Sequence, residues 1–167
     1  PLADGTLPPY PDAQIDAVIA LCHSIFVCHT IPASRVVAHS DIAPARKTDP
    51  GEHFPWARLA AAGIGLWPAA GPENHGDEIL LPGDTSETVR HAQSSLRTIG
   101  YGLEATGIYD DATRLTVTAF QRHWLPDMLT GHGDARTLAR LRDVYAAVTA
   151  SSDPSSTSSS SSGSRTS

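Results

Sequence analysis

The chain has 167 residues and a formal net charge of -6, room for one ordinary domain or two small ones. With no basic cluster to neutralise phosphates, nucleic acid is excluded as a partner, and no apolar run approaches the roughly 18 residues that would cross a bilayer. The two cysteines, Cys22 and Cys28, fall about 240° apart around a predicted helix, so they are not expected to pair with each other.

The chain opens on a proline-rich stretch without periodicity, read as a loop. Ile15, Val18, Ile19, Cys22, Ile25 and Phe26 then recur at three- and four-residue intervals, which predicts an amphipathic helix with a core-facing stripe. Asp12 and Asp16 sit near its start, where carboxylates suit the helix dipole. Ile31-Pro32 ends it, and the β-branched run Arg35-Val36-Val37-Ala38 predicts a short strand that delivers His39 at its end.

The run from His39 to Gly51 places a histidine, a lysine and a carboxylate in one proline-braced loop. A neutral imidazole and a carboxylate are ordinary zinc ligands, and a hydrolytic site leaves one coordination position for water. Lys47, the only lysine in the chain, would steady a developing oxyanion. Pro44, Pro50 and Pro55 restrict the backbone, and Pro50-Gly51 signals a turn that would bring Asp49 back toward His39. Asp41 is read as a brace for the loop, without a metal role.

Written out, Val36-Val-Ala-His-Ser-Asp-Ile-Ala-Pro-Ala-Arg-Lys-Thr-Asp-Pro-Gly-Glu-His-Phe-Pro-Trp56 resembles the C-terminal signature of the type 2 N-acetylmuramoyl-L-alanine amidases. The resemblance implies that His39 is the second zinc histidine, Asp49 the zinc carboxylate and Lys47 the electrophilic helper beside the scissile carbonyl. Ala38 and Ala45 stand where the family has glycine. The family also has an earlier zinc histidine on a strand and a glutamate that activates water; neither is matched in the residues before His39, so the N-terminal half of the catalytic domain is expected to be missing. His53, His23 and His29 are not assigned to zinc. The implied fold is α/β, a mixed sheet flanked by helices.

Phe54, Trp56, Leu59, Ile64, Leu66 and Trp67 form the next apolar group, read as core, with a sugar-stacking role for Trp56 or Trp67 as the alternative. Residues 71–83 read as a polar connector, placing a boundary between a first region, 1–70, and a second, 84–148. In the second, Asp84-Thr-Ser-Glu87 has the form of a capping box, and Val89, Ala92, Leu96 and Ile99 line one helix face up to a stop at Gly100. Gly107-x-x-Asp110-x-x-Thr113 and Gly131-x-x-Asp134-x-x-Thr137 repeat one pattern, each opening a further helix. This predicts an all-α three-helix module. From 149 to 167 the chain is serine-rich with almost no apolar side chain, and a disordered tail is expected.

Ala92-Gln93, Leu96, Gly100-Tyr101, Thr106-Gly107-Ile-Tyr-Asp110, Thr113 and Ala119-Phe-Gln121 together resemble the peptidoglycan-binding domain appended to many wall hydrolases. Tyr101, Tyr109 and Gln121 are candidate ligand contacts, although a structural role is the favoured reading for each. The two resemblances imply a zinc-dependent hydrolase of the amide between N-acetylmuramic acid and L-alanine, acting on peptidoglycan or muropeptides in the periplasm or cell envelope. With one ligand and the base unmatched, little turnover is expected from these residues alone. The competing expectation is a non-enzymatic wall-binding protein carrying an amidase remnant.

Overall fold

A computed structural model describes residues 8–71 and 79–151. The first seven residues, most of the expected connector and the serine-rich tail after Ser151 lie outside the described residues.

Helix α1 (Asp12–Cys28) forms where the apolar period placed it. Ile15 is buried against Leu59 and Ile64, with Val18, Ile19, Cys22 and Phe26 partly covered beside them. Leu21, Ile25 and Val27 stay exposed, so α1 is apolar on a second face as well. Asp12 and Asp16 accept hydrogen bonds from Arg58 at 2.5 and 2.6 Å. Arg58 lies on helix α3 (Trp56–Ala61), and these bonds tie the two helices together. The Arg58 guanidinium is held above its usual pKa, first by the hydrogen bond to Asp12.

The predicted mixed sheet does not form among the described residues. The described residues contain six α-helices and no strand. The Arg35–Ala38 stretch opens in a 3-10 turn (Ala33–Arg35), and Val36 (φ -88°, ψ 102°) and Ala38 (φ -90°, ψ 164°) are extended. β-Branched residues favour such backbone, but a strand also needs a neighbour to exchange N–H and C=O bonds with. No described segment pairs alongside, and His39 therefore starts helix α2 (His39–Ile42) rather than ending a strand.

Helices α4 (Glu87–Ile99), α5 (Asp111–Trp124) and α6 (Ala135–Ser151) follow from the caps and stripes of the second region. Val89, Leu96, Tyr109, Val117, Phe120, Leu141 and Val144 make their shared core. The cap of α4 is Ser86, whose Oγ accepts from the Val89 N–H at 3.1 Å, two residues beyond the expected Asp84. Asp84 instead accepts from the Leu81 N–H, fixing the turn ahead of the helix. Asp110 caps α5 through the Thr113 N–H, and Asp134 repeats the bond with Thr137, both at 2.8 Å.

Each repeat is read by one buried glutamine. The Gln93 amide donates to Thr106 Oγ1, Ile108 O and Thr113 Oγ1 and accepts from the Gly107 N–H. Gln121 does the same with Thr130 Oγ1, His132 O, Thr137 Oγ1 and the Gly131 N–H. The glycines are required: Gly107 and Gly131 adopt φ of 82° and 66°, and a Cβ on Gly131 would meet Thr118 Oγ1 at 2.8 Å.

The two regions are in contact. Leu66 and Trp67 pack onto the three-helix core, and α2 lies against α5.

Candidate functional site

The loop that follows α2 closes on itself. The Ser40 N–H donates to the Asp49 carbonyl at 3.2 Å, which returns the end of the loop to its start. His39 Nδ1 and Asp49 Oδ2 then meet at 2.5 Å. Both side chains are well exposed, 71% and 57%, and a ligand that takes both Nδ1 and Oδ2 would replace the hydrogen bond between them. The hydrogen bond from His39 holds the Asp49 carboxyl below its usual range, and the charges of His39 and Lys47 act in the same direction. Lys47 is exposed on the same loop, its N–H bonded to the Ala43 carbonyl.

Behind this pair the loop is anchored in the interior. Asp41, on the same short helix as His39, is buried and accepts three hydrogen bonds. They come from the Ala38 N–H at 2.8 Å, the Tyr101 hydroxyl at 2.8 Å and His123 Nδ1 at 2.7 Å. Because an ionised carboxylate only accepts, His123 carries its proton on Nδ1 toward Asp41. The His123 ring is stacked between Trp56 and Trp124, at centroid distances of 3.9 and 4.1 Å. Burial pushes the Tyr101 phenol well above its usual pKa, with the Asp41 charge adding, so it stays a neutral donor. Sequence reasoning found Asp41 as a brace but missed His123, which carries no motif and sits as one polar position on an otherwise ordinary helix.

The candidate ligand contacts of the second region are placed inside it. Tyr101 is spent on Asp41, the Tyr109 hydroxyl donates to Gly131 O at 2.9 Å, and Gln121 is fully buried in its amide network. Burial also raises the Tyr109 phenol far above its usual range. Trp56 packs on His123, and Trp67 stacks on Trp124 with the Arg140 guanidinium 4.7 Å from its ring centre. His53 is exposed beside Pro50 and Tyr10, and His23 Nε2 contacts the Ala62 carbonyl.

The donor chemistry at His39 and Asp49 fits zinc in kind, an imidazole nitrogen and a carboxylate oxygen brought together from two ends of a fixed loop. Among the described residues, no group of three or more His, Cys, Asp or Glu side chains is gathered for a metal. Among the described residues, no helix is long and apolar enough to cross a membrane.

Residues 3–52 match the family described as N-acetylmuramoyl-L-alanine amidase, and residues 85–141 match the putative peptidoglycan binding domain. The N-acetylmuramoyl-L-alanine amidase AmiD of Escherichia coli (strain K12) is 40% identical over 136 residues, covering 78% of this chain and 47% of that protein. The 1,6-anhydro-N-acetylmuramyl-L-alanine amidase AmpD of the same strain is 45% identical over 50 residues, 30% of this chain and 27% of AmpD. Among solved structures, E. coli AmiD in complex with the substrate anhydro-N-acetylmuramic acid-L-Ala-D-gamma-Glu-L-Lys superposes with a TM-score of 0.71 at 35% identity, covering 85% of this chain and 55% of that one. AmpDh3 of Pseudomonas aeruginosa gives 0.68 at 30% identity, covering 88% and 58%. The chain spans about half the length of AmiD, the relative it matches over most of its own length.

Proposed function

We propose that this chain, which joins an amidase segment to a peptidoglycan-binding segment, carries the zinc-ligating loop of an enzyme that hydrolyses the amide between N-acetylmuramic acid and L-alanine. The observation that carries the reading is the pairing of His39 Nδ1 with Asp49 Oδ2 at 2.5 Å in a loop that also bears Lys47. AmiD and AmpD relatives, with amidase in their names, support the bond assigned. Peptidoglycan or a soluble muropeptide is the substrate class, and the periplasm or cell envelope is where such a substrate is met.

His39 and Asp49 would hold the ion, and Lys47 would donate to the oxygen of the scissile carbonyl as charge develops on it. Bound zinc supplies a Lewis acid that polarises a carbonyl and acidifies water. The loop's own part is preorganisation: backbone closure at Ser40 and the buried Asp41 fix the approach of both ligands before substrate arrives. The residues after the connector at 71–83 would raise the local concentration of wall polymer around the loop. Since the described residues bring two metal donors together, the 167-residue chain by itself is expected to turn over slowly.

Two measurements on the 167-residue chain test the reading. Sedimentation with purified sacculi should retain the chain, and mass spectrometry should find zinc-dependent stem peptides with a free L-alanine amine, at low yield, lost in Asp49→Ala. Retention on sacculi without any zinc dependence would favour the non-enzymatic wall-binding protein. Cleavage at glycosidic or peptide bonds would overturn the proposed reaction.

A further inference from the structure

The interface between the two regions does more than a tether requires. Arg122 and His123, consecutive residues at the end of α5, reach the two ends of the metal loop. His123 Nδ1 holds Asp41, two residues after His39, at 2.7 Å, while Arg122 Nε lies 3.8 Å from Glu52 Oε2, three residues after Asp49. Trp56, just beyond the loop, closes over the His123 ring.

We propose that Arg122 and His123 are positioning residues for the His39–Asp49 pair, so that the wall-binding module forms part of the metal site's scaffold; this rests on the zinc reading above. Tethering raises effective concentration without any buried contact, and interfaces between domains of one chain are ordinarily polar and mobile. Here a carboxylate and an imidazole are almost fully withdrawn from water, with side chains 6% and 3% exposed. Such a pair costs desolvation, which its hydrogen bonds offset only when the geometry is good. What that geometry fixes is local. Asp41 Oδ2 also takes the Ala38 N–H, so the bond from His123 sets the backbone immediately before His39 and hence the aim of its ring. The stacked tryptophans leave the His123 ring no freedom to swing, and the closed backbone bond from Ser40 to Asp49 passes the constraint to the second ligand.

Groups hydrogen-bonded directly to metal ligands commonly change metal affinity by about tenfold or more, and His123 acts one bond further back, through Asp41. The test is zinc affinity of the whole chain by competition with a chromogenic chelator, measured on protein shown to be folded. His123→Leu, which keeps bulk and loses the donor, should weaken zinc about tenfold. His123→Asn, which keeps a donor, should bind close to the parent chain. Glu52→Gln, at a half-buried side chain facing Arg122, keeps size and shape, should weaken zinc a few-fold and carries the test if His123→Leu does not fold. Val144→Ala, in the α6 core, should lower the melting temperature and leave zinc affinity unchanged, which separates positioning from general stability. Unchanged zinc affinity in folded His123→Leu or in Glu52→Gln, or an equal loss in Val144→Ala, overturns the inference while leaving the zinc reading in place. If Asp49→Ala binds zinc as the parent does, the zinc reading itself fails and the inference with it.

Discussion

Replacing Gln121 with methionine distinguishes a wall contact from a structural one. The side chain keeps its length and loses its amide. That amide makes four hydrogen bonds, three of them at 3.0 Å from Nε2 to Thr130 Oγ1, His132 O and Thr137 Oγ1, and one at 2.8 Å from the Gly131 N–H to Oε1. Two hydrogens are shared among three acceptors, so the hydroxyls are the easier partners to lose, because they can turn elsewhere. The backbone groups of Gly131 and His132 cannot, and leaving the buried Gly131 donor and the part-buried His132 acceptor unpaired costs about 1–3 kcal/mol each. The sum is about 4 kcal/mol, worth a fall of about 10 °C in melting temperature at this chain length. Thermal and urea melts followed by circular dichroism would measure it, with sedimentation on sacculi alongside. A variant that melts like the parent chain but no longer binds sacculi would refute the reasoning and make Gln121 a ligand contact.

Three smaller tests follow from the same structure. Arg140, buried, donates to Trp124 O and Pro68 O and stacks on Trp67; Arg140→Lys should not rescue Arg140→Ala, and both should open residues 68–71 to proteolysis, because a lysine lacks the planar fork. Asp110 is held below its usual pKa by its bonds to Thr113. Its contribution is therefore present above pH ~4 and lost as pH falls through the depressed value, so Asp110→Asn should flatten the acid limb of a pH–stability curve. Ser86→Ala should cost about 1 kcal/mol in a denaturant melt through loss of the α4 cap, and Asp84→Ala should leave α4 capped.

Helices were legible because their signals are local. The 3.6-residue stripe of α1, the Gly100 stop and the two Asp-x-x-Thr starts each need only neighbouring residues to act. The loop return from His39 to Asp49 was also legible, since proline and glycine restrict a short segment directly. What failed depended on distant partners. Val36 and Val37 favour extended backbone, yet a sheet exists only where a second segment pairs with it, and none does among the described residues. The Asp84 cap failed by two residues because Ser86 offers an equivalent oxygen closer to the first turn. Tyr101 and His123 were opaque for the same reason as the sheet: their partner, Asp41, lies 60 and 82 residues away along the chain.

On the proposed reading, His39 and Asp49 together hold a zinc ion. Crystals of the chain soaked in zinc and measured on both sides of the metal's absorption edge would locate it. An anomalous peak in contact with both side chains is expected, absent from Asp49→Ala crystals. A peak at His53, at His23 or His29, or none in the parent crystal, would contradict it.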